Sequence, residues 1–390
     1  MPTTTKIPLP VKIFWGILII VVSLNVAIQI TDHGFVYKAL IYNYAGIDDI
    51  DIFDTRQVAH GDPQPWPMGS DYNKRKLPDS MEATLERYET VEFLILQNDS
   101  IRYEQYWDHY KSNSLSNSFS VAKSITGILV GIAVNEGLIR SIDDPVSRYL
   151  EWFNEGANNE LTIRQVLTMS AELNWDEQYS SLFSVTTKAY YGNNLTKIAR
   201  SLKVVGTPGK VFNYQSGSTV LLAMIVEKVT GTSVSEYASE KLWKPMGAEF
   251  SAQWSLDQYD GQEKAFCCFY STARDFARLG QLFLDSGKWK GRQIVSKEWV
   301  AESTTPAPLL DEDGTPNASY GYQWWLTSYK THKIFYARGL SGQYIVVVPD
   351  LRIVMVRLGH KRGNPKPGPG HHLEDLDVYI EDVIKMYAHS

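Results

Sequence analysis

The sequence predicts a mixed α/β chain of the α+β kind, in which a sheet lobe is interrupted by a helical lobe. Three observations predict it. Short β-branched runs stand at both ends of the globular part: Val91 to Leu96 and Ile101 to Trp107 early, then Lys333 to Ala337, Tyr344 to Val348 and Arg352 to Leu358 late. Between Asp143 and about Met246 the apolar spacing is mostly helical. The chain is also long enough, at 390 residues with 44% hydrophobic, to bury a substantial core.

Taken in order, the first element is apolar. Val11 to Ile30 carries no charge after Lys12 and ends before Asp32, and about 20 apolar residues suffice to cross a bilayer as a helix. Lys6 and Lys12 precede it, so the positive-inside bias leaves residues 1–10 as a cytoplasmic tail. The segment therefore reads as a signal anchor with the bulk of the protein extracytoplasmic. The alternative is a cleaved signal peptide and a secreted domain, but no clear Ala-x-Ala site follows. Residues 31–80 read as a connecting arm without a long periodic element, and the globular part begins near Met81.

The early strands flank Gln97 to Ser100, whose Asn-Asp pair reads as a hairpin turn. Ser120 to Gly137 follows as a helix, because Val121, Ile125, Ile128, Leu129 and Ile132 recur at helical spacing. Within it, Gly127 and Gly131 read as a site of close helix packing rather than a membrane dimer motif, since the apolar run is too short to span. Further helices are predicted at Thr162 to Met169, Ser218 to Gly231, Thr272 to Ser286 and Ser296 to Ser303. Pro349-Asp350 marks a turn between the last two strands, and a Pro/Gly-rich loop at 364–370 leads to a final helix over about 373–386.

Composition excludes some classes of function. The net charge of -6 is spread over interspersed charges of both signs, with no basic stripe to neutralise phosphates, so nucleic acid is not an expected partner. Cys267 and Cys268 are adjacent, a spacing unsuited to ordinary disulfide geometry, and read as two small buried residues. His371 and His372 with Glu374 and Asp375 lack any His-x-His or His-Glu-x-x-His pattern and read as a solvated loop. No metal and no organic cofactor is expected.

Ser120 and Lys123 carry the first chemical signal. A serine hydroxyl attacks a carbonyl only when a neighbouring base takes its proton, and residues three apart on a helix share a face. Burial against apolar neighbours would push the lysine toward its neutral form. The helix start also offers the Ser120 N–H to a developing oxyanion. Ser-x-x-Lys alone is weak, since roughly one or two occur by chance in a chain this long. The only instance here opens a hydrophobic helix directly after a hairpin. Tyr214 and Ser216 stand where a loop gives way to a helix; beside an ammonium, a phenol can relay the serine proton to a leaving group. Gly339 and Gly342 interrupt strand-like sequence, which marks either a tight turn or a close backbone approach.

Ser120-Val-Ala-Lys123, Tyr214-Gln-Ser216 and the Gly339 strand occur in an order that resembles the serine β-lactamase-like hydrolases. That group includes class C β-lactamases, DD-peptidases, family VIII esterases and 6-aminohexanoate-dimer hydrolases. Connecting segments are similar as well: Leu161 to Leu167, Pro208-Gly209, Leu242 to Gly247 and Ser271 to Gly280. Gly339 to Gln343 followed by Val-Val-Pro looks nearest the nylon-oligomer hydrolase and esterase branch. The resemblance spans about 91–386. It implies a β-lactamase/transpeptidase-like fold, an antiparallel sheet flanked by helices plus an inserted all-helical lobe. The sheet lobe would take about 81–140 and 265–388, and the helical lobe about 141–264. It further implies Ser120 as acylated nucleophile, Lys123 as its activating partner and Tyr214 as general acid/base. The oxyanion hole would come from the backbone N–H groups of Ser120 and Leu340, with Ser216, Arg338 and Gly339 at the substrate.

The chain departs from the family pattern at three places. Ala337 occupies the position two before the strand glycine where many relatives carry Lys or His, and strand alternation predicts that the adjacent Arg338 points to the opposite face. Ser216 replaces a common Asn, and Met169 to Glu172 replaces a common His-Thr-Ser-Gly run. The expected function is a serine hydrolase acting on a small ester or linear amide through an acyl-enzyme on Ser120. A β-lactamase or DD-peptidase is the first alternative, and a non-catalytic membrane-tethered sensor or scaffold is the alternative from another class.

Overall fold

Six antiparallel strands form the main sheet in the computed structural model, which describes residues 8–31, 33–43, 45–367 and 372–388. From one edge to the other the order is Ser100–Tyr106, Thr90–Gln97, Ile353–Gly359, Gln343–Val348, His332–Gly339 and Trp325–Tyr329. The three central strands are buried along their whole length, which explains their near-continuous Val, Ile and Leu content. Their side chains alternate between two cores. Ile345, Val347, Val354 and Val356 face the helices Val121–Asn135 and Ala273–Leu284, whereas Tyr344, Val346 and Met355 face Asp79–Arg87 and Glu374–Tyr387. The chain is thus a helix–sheet–helix sandwich with its two termini of the domain closing one face.

The helical lobe lies between the early and late strands. Ile163–Leu167 starts with the capping box of Thr162 and Gln165, and Val185–Tyr191 and Leu195–Arg200 begin at Ser184 and Asn194 caps. Ser216–Thr230 ends at Gly231, whose φ of 69° is the left-handed stop that glycine accepts without penalty. The Ser120 helix packs closely, as its glycines predict. A Cβ on Gly131 would stand 2.5 Å from the Trp299 ring, and one on Gly127 would stand 3.0 Å from Gln323.

A second sheet was not legible in the sequence. Its strands, Thr55–Val58, Ala252–Ser255, Phe269–Ser271 and Ser116–Asn117, are two to four residues long and come from four distant places. One of them lies in the segment expected to be a connecting arm. That arm is not a free linker: Ile47, Val58 and Trp66 belong to the main core, and Phe35–Tyr42 is a helix packing Phe35, Val36 and Ala39 against Phe53 and Tyr191. The short segments lack periodicity because each is anchored by one or two large side chains rather than by a repeating face.

The two cysteines are buried as expected, but the expectation that they do not pair is overturned. Cys267 and Cys268 are joined as a vicinal disulfide, with Cα atoms 3.8 Å apart. The chain turns sharply there, with Cys268 at a φ of 65° and the Cys267 N–H donated to the Lys264 carbonyl, and this turn brings neighbouring sulfurs together where an extended strand would not. His371 lies outside the described residues. His372 shares a hydrogen bond with the Tyr336 hydroxyl at 2.7 Å, and the Asp375 carboxylate accepts from Tyr344 at 3.0 Å.

At the N-terminal end, Leu9–Ile30 is a continuous 22-residue helix with no buried residue, about 33 Å long at 1.5 Å per residue. Among the described residues it is the one helix long and apolar enough to cross a membrane.

Lys264 is buried near the arm with no ion pair among the described residues. Its ammonium reaches the carbonyls of Gly192 and Ala189 only at 3.3 and 3.4 Å and lies 4.6 Å over the Phe53 ring. Burial pulls its pKa down to about 7, against the opposing charge of Asp257. The folded state therefore binds fewer protons than the unfolded state from about pH 7 up to the ordinary lysine value. Over that window stability should rise with pH, and below it the dependence should vanish because both states are protonated. Melting midpoints across pH 6 to 9.5 should show this slope in the native chain, and Lys264→Met should flatten it.

Candidate active site

A sharp turn sets Ser120. Ser118 donates its N–H to the Phe269 carbonyl at 2.8 Å, and Phe119 donates to the Asn117 side chain at 2.9 Å. Phe119 itself adopts a φ of 44°, costly for a bulky residue, and is held there by burial in the core. The following Ser120 is the N-cap of the helix Val121–Asn135, with its side chain part-exposed to a cleft. One turn on, Lys123 is buried and donates from Nζ to Ser120 Oγ at 3.0 Å and to the Phe266 carbonyl at 2.8 Å. The Phe266 carbonyl is presented by the same turn that carries the vicinal disulfide. Lys123 Nζ also lies 5.1 Å from the centre of the Tyr214 ring.

Tyr214 is fixed from both sides by backbone. Asn213 donates its N–H to the Met169 carbonyl at 2.7 Å, while the Gln215 side-chain amide bridges the Leu173 N–H, the Leu173 carbonyl and the Trp175 carbonyl. The tyrosine ring stacks on Trp325 at 5.5 Å, and Tyr320 meets both rings edge-on. Met169 to Glu172, the segment that departs from the family pattern, thus braces the tyrosine loop; it is not among the cleft-lining residues.

Gly339 lines the cleft and also approaches backbone closely. A Cβ there would stand 2.2 Å from the Ser118 carbonyl oxygen, so only glycine lets the strand end reach the serine turn. The approach places Leu340 beside Ser120 on the wall of the same cleft. Among the described residues, neither the Ser120 nor the Leu340 N–H is taken up by a backbone acceptor.

Two expectations about neighbouring residues change. Arg338 does not point away from the site: it lines the cleft with its guanidinium 3.7 Å over the Trp325 ring, while Ala337 is the residue turned into the core. The reason is register. Tyr336 pairs with Trp325 across the sheet, and Arg338 shares their face, over which the cleft opens. Ser216 is close to Ser120, but both its N–H and its hydroxyl donate to the Glu177 carboxylate at 2.6 Å. Glu177 also accepts from Tyr179 at 2.5 Å. Glu177 and Tyr179 were missed in the sequence; the signal was an acidic and an aromatic side chain in a loop just ahead of a helix, a common setting for functional groups.

The cleft measures about 630 Å³ and mixes charges: Glu177, Asp311, Glu312 and Asp313 against Arg338 and Arg362. A smaller recess of about 70 Å³ also borders Ser120. A lysine-contacted serine with a tyrosine ring beside that lysine forms a constellation suited to acyl transfer. On the antiparallel sheet with its inserted helical lobe, it defines a β-lactamase/transpeptidase-like hydrolase. Residues 79–379 match the family model described as Beta-lactamase, and the chain belongs to that family.

Among its relatives is the 6-aminohexanoate-dimer hydrolase of Paenarthrobacter ureafaciens, 30% identical over 302 residues that cover 73% of this chain and 75% of that one. The teichoic acid D-alanine hydrolase of Staphylococcus aureus is 24% identical over 60% of this chain and 59% of its own length. Among solved structures, a Bacillus anthracis protein assigned as a candidate 6-aminohexanoate-dimer hydrolase superposes with a TM-score of 0.76 at 21% identity, covering 88% of this chain and 93% of that one. A family VIII carboxylesterase superposes at 0.64 with 16% identity, covering 82% and 99%. The fold and the hydrolase family are therefore those the resemblance implies.

Proposed function

We propose that this chain is a serine hydrolase that cleaves an ester or linear amide through an acyl-enzyme on Ser120. The observation that carries the reading is the contact of Lys123 Nζ with Ser120 Oγ, 3.0 Å inside a buried niche whose other wall is Tyr214. In the first half-reaction Ser120 Oγ bonds to the substrate carbonyl carbon as its proton passes toward Lys123. The carbonyl oxygen gathers negative charge against the Ser120 and Leu340 N–H groups. Tyr214 delivers a proton to the departing oxygen or nitrogen, and the carbon-to-leaving-group bond breaks. In the second, Tyr214 takes back a proton from a water whose oxygen attacks the acyl carbon, the bond from that carbon to Oγ breaks, and the proton held by Lys123 returns to Ser120 Oγ.

The names of the relatives support both bond types: one acts on a dimer of an amino acid, and one structural neighbour is a carboxylesterase. Arg338 favours a second reading. A guanidinium in the cleft supplies a cation for a substrate carboxylate, the role left vacant at Ala337, so a penicillin-type substrate is the competing outcome. The helix Leu9–Ile30 supports a signal anchor by its length and apolar composition, and its Gln29 shares a groove with Lys188 and Asn194 of the helical lobe. On that reading the domain faces the extracytoplasmic side.

Labelling with a fluorophosphonate, mass mapping of the adduct, and a parallel screen of chromogenic esters, linear amides and nitrocefin test the proposal. The expected result is an adduct on Ser120 and turnover of an ester or amide. Turnover of nitrocefin alone would favour the penicillin reading, and no adduct with any probe would favour a non-catalytic tethered scaffold.

A further inference from the structure

Leu340 opens a short turn, Leu340–Gly342, that joins the strand His332–Gly339 to the strand Gln343–Val348. Before it the chain is anchored by register, since Gly339 pairs with Gln343 and lies against the Ser118 carbonyl. After it the backbone takes two left-handed steps, Ser341 at a φ of 59° and Gly342 at 79°. Such a step is costly for a residue with a Cβ, so Ser341 needs outside contacts to hold it. Those contacts come from Gln343 and Arg357, both fully buried in the sheet. Gln343 donates from Nε2 to the Leu340 carbonyl at 2.9 Å and to the Gly359 carbonyl at 2.7 Å. Its Oε1 accepts the Gly359 N–H at 3.0 Å. Arg357 donates from Nη1 to the Ser341 and Gly342 carbonyls, both at 2.8 Å. Every carbonyl of the turn is therefore held by a buried side chain.

The same guanidinium also reaches the Tyr88 carbonyl, the Lys361 carbonyl at 2.9 Å and the Thr90 hydroxyl at 2.9 Å. None of these bonds goes to a carboxylate. The backbone around it is shaped to receive it, because a Cβ on Gly342 or on Gly359 would stand 2.4 Å from a guanidinium nitrogen. An apolar side chain would fill this space with a smaller desolvation penalty. What the arginine adds is a fixed conformation for the turn.

We propose that Arg357 and Gln343 are positioning residues for the oxyanion site, locking the turn so that the Leu340 N–H stays in place beside Ser120. This rests on the serine hydrolase reading above. Both residues act through the backbone and neither lines the cleft. A preorganised donor gains its catalytic value because it need not reorient as charge develops on the carbonyl oxygen. A loosened turn thus weakens transition-state binding more than substrate binding.

The test uses the full chain in detergent, p-nitrophenyl acetate as substrate and an arylboronic acid as a tetrahedral mimic of the transition state. Arg357→Lys keeps the charge, but one ammonium cannot reach all the carbonyls that the guanidinium holds. Gln343→Asn shortens the amide by one methylene, so it cannot serve Leu340 and Gly359 together, and it keeps the test open if the lysine prevents folding. Each variant that melts cooperatively should lower kcat by about tenfold or more, with KM changed by less than about threefold. Loss of a whole oxyanion donor, about 10²- to 10³-fold, sets the upper end. The boronate inhibition constant should rise by about the same factor as kcat/KM falls, which a merely structural loss would not produce. Native-like kcat and boronate affinity in a folded variant, or a loss confined to KM, would overturn the proposal. Ester hydrolysis that is absent in the native chain, or that persists in Ser120→Ala, would instead overturn the serine hydrolase reading on which it rests.

Discussion

Ser120→Ala is expected to lower ester or amide turnover by at least about 10³-fold, the scale on which removing a nucleophile acts when only binding and oxyanion contacts remain. Lys123→Met should cost a similar factor. The two residues touch at 3.0 Å and would act as one unit, so the double variant should be no worse than either single one. Stability separates this from a structural effect. Ser120 is part-exposed and its hydroxyl meets Lys123, so Ser120→Ala should leave the melting midpoint nearly unchanged. Lys123→Met removes a buried amino group but strands the Phe266 carbonyl, so its midpoint should shift in either direction by no more than a few degrees. Single-turnover kinetics on the full chain would measure the first effect. A Ser120→Ala protein with native-like turnover would remove the acyl-enzyme from consideration.

Arg278→Met is expected to be the most damaging substitution outside the site, costing about 3–5 kcal/mol of stability, as breaking a buried ion pair does. For a domain of this size that lowers the melting midpoint by about 10 °C. Arg278 and Asp275 are both fully buried and meet at 2.8 Å. The guanidinium also donates to the Gln64 and Met246 carbonyls at 2.7 and 3.1 Å and to Glu249 at 3.2 Å, between the rings of Trp66 and Trp289. Removing it leaves the Asp275 carboxylate buried without its cation and two carbonyls without a donor. Arg278→Lys should recover little of the loss, because one ammonium cannot reach three directions at once. The effect should also reach the arm. Gln64 and Trp66 are fastened through Arg278 and the Arg274 carbonyl, so limited proteolysis of the variant should open the chain near residue 64. A midpoint within a degree or two of the native chain would contradict this account.

The Ser120 helix, the amphipathic Ala273–Leu284 and the Val-rich central strands were legible from spacing alone. Each buries a repeating face, and that periodicity is written locally. Ser120, Lys123 and Tyr214 were legible as residue types that suit acyl transfer, and their order along the chain marked the family. What the sequence by itself determined, then, is the set of elements that depend on neighbours a few residues away, and the chemical identity of the groups. Only the tertiary structure decided how distant residues meet. Glu177 holding Ser216, Arg338 turned into the cleft over Trp325, and Cys267 bonded to Cys268 in a turn all depend on such meetings. The physical reason is common to them. Register, a left-handed residue at a turn, and the seating of one helix on another are set by the packing of the whole core, and no local period records them.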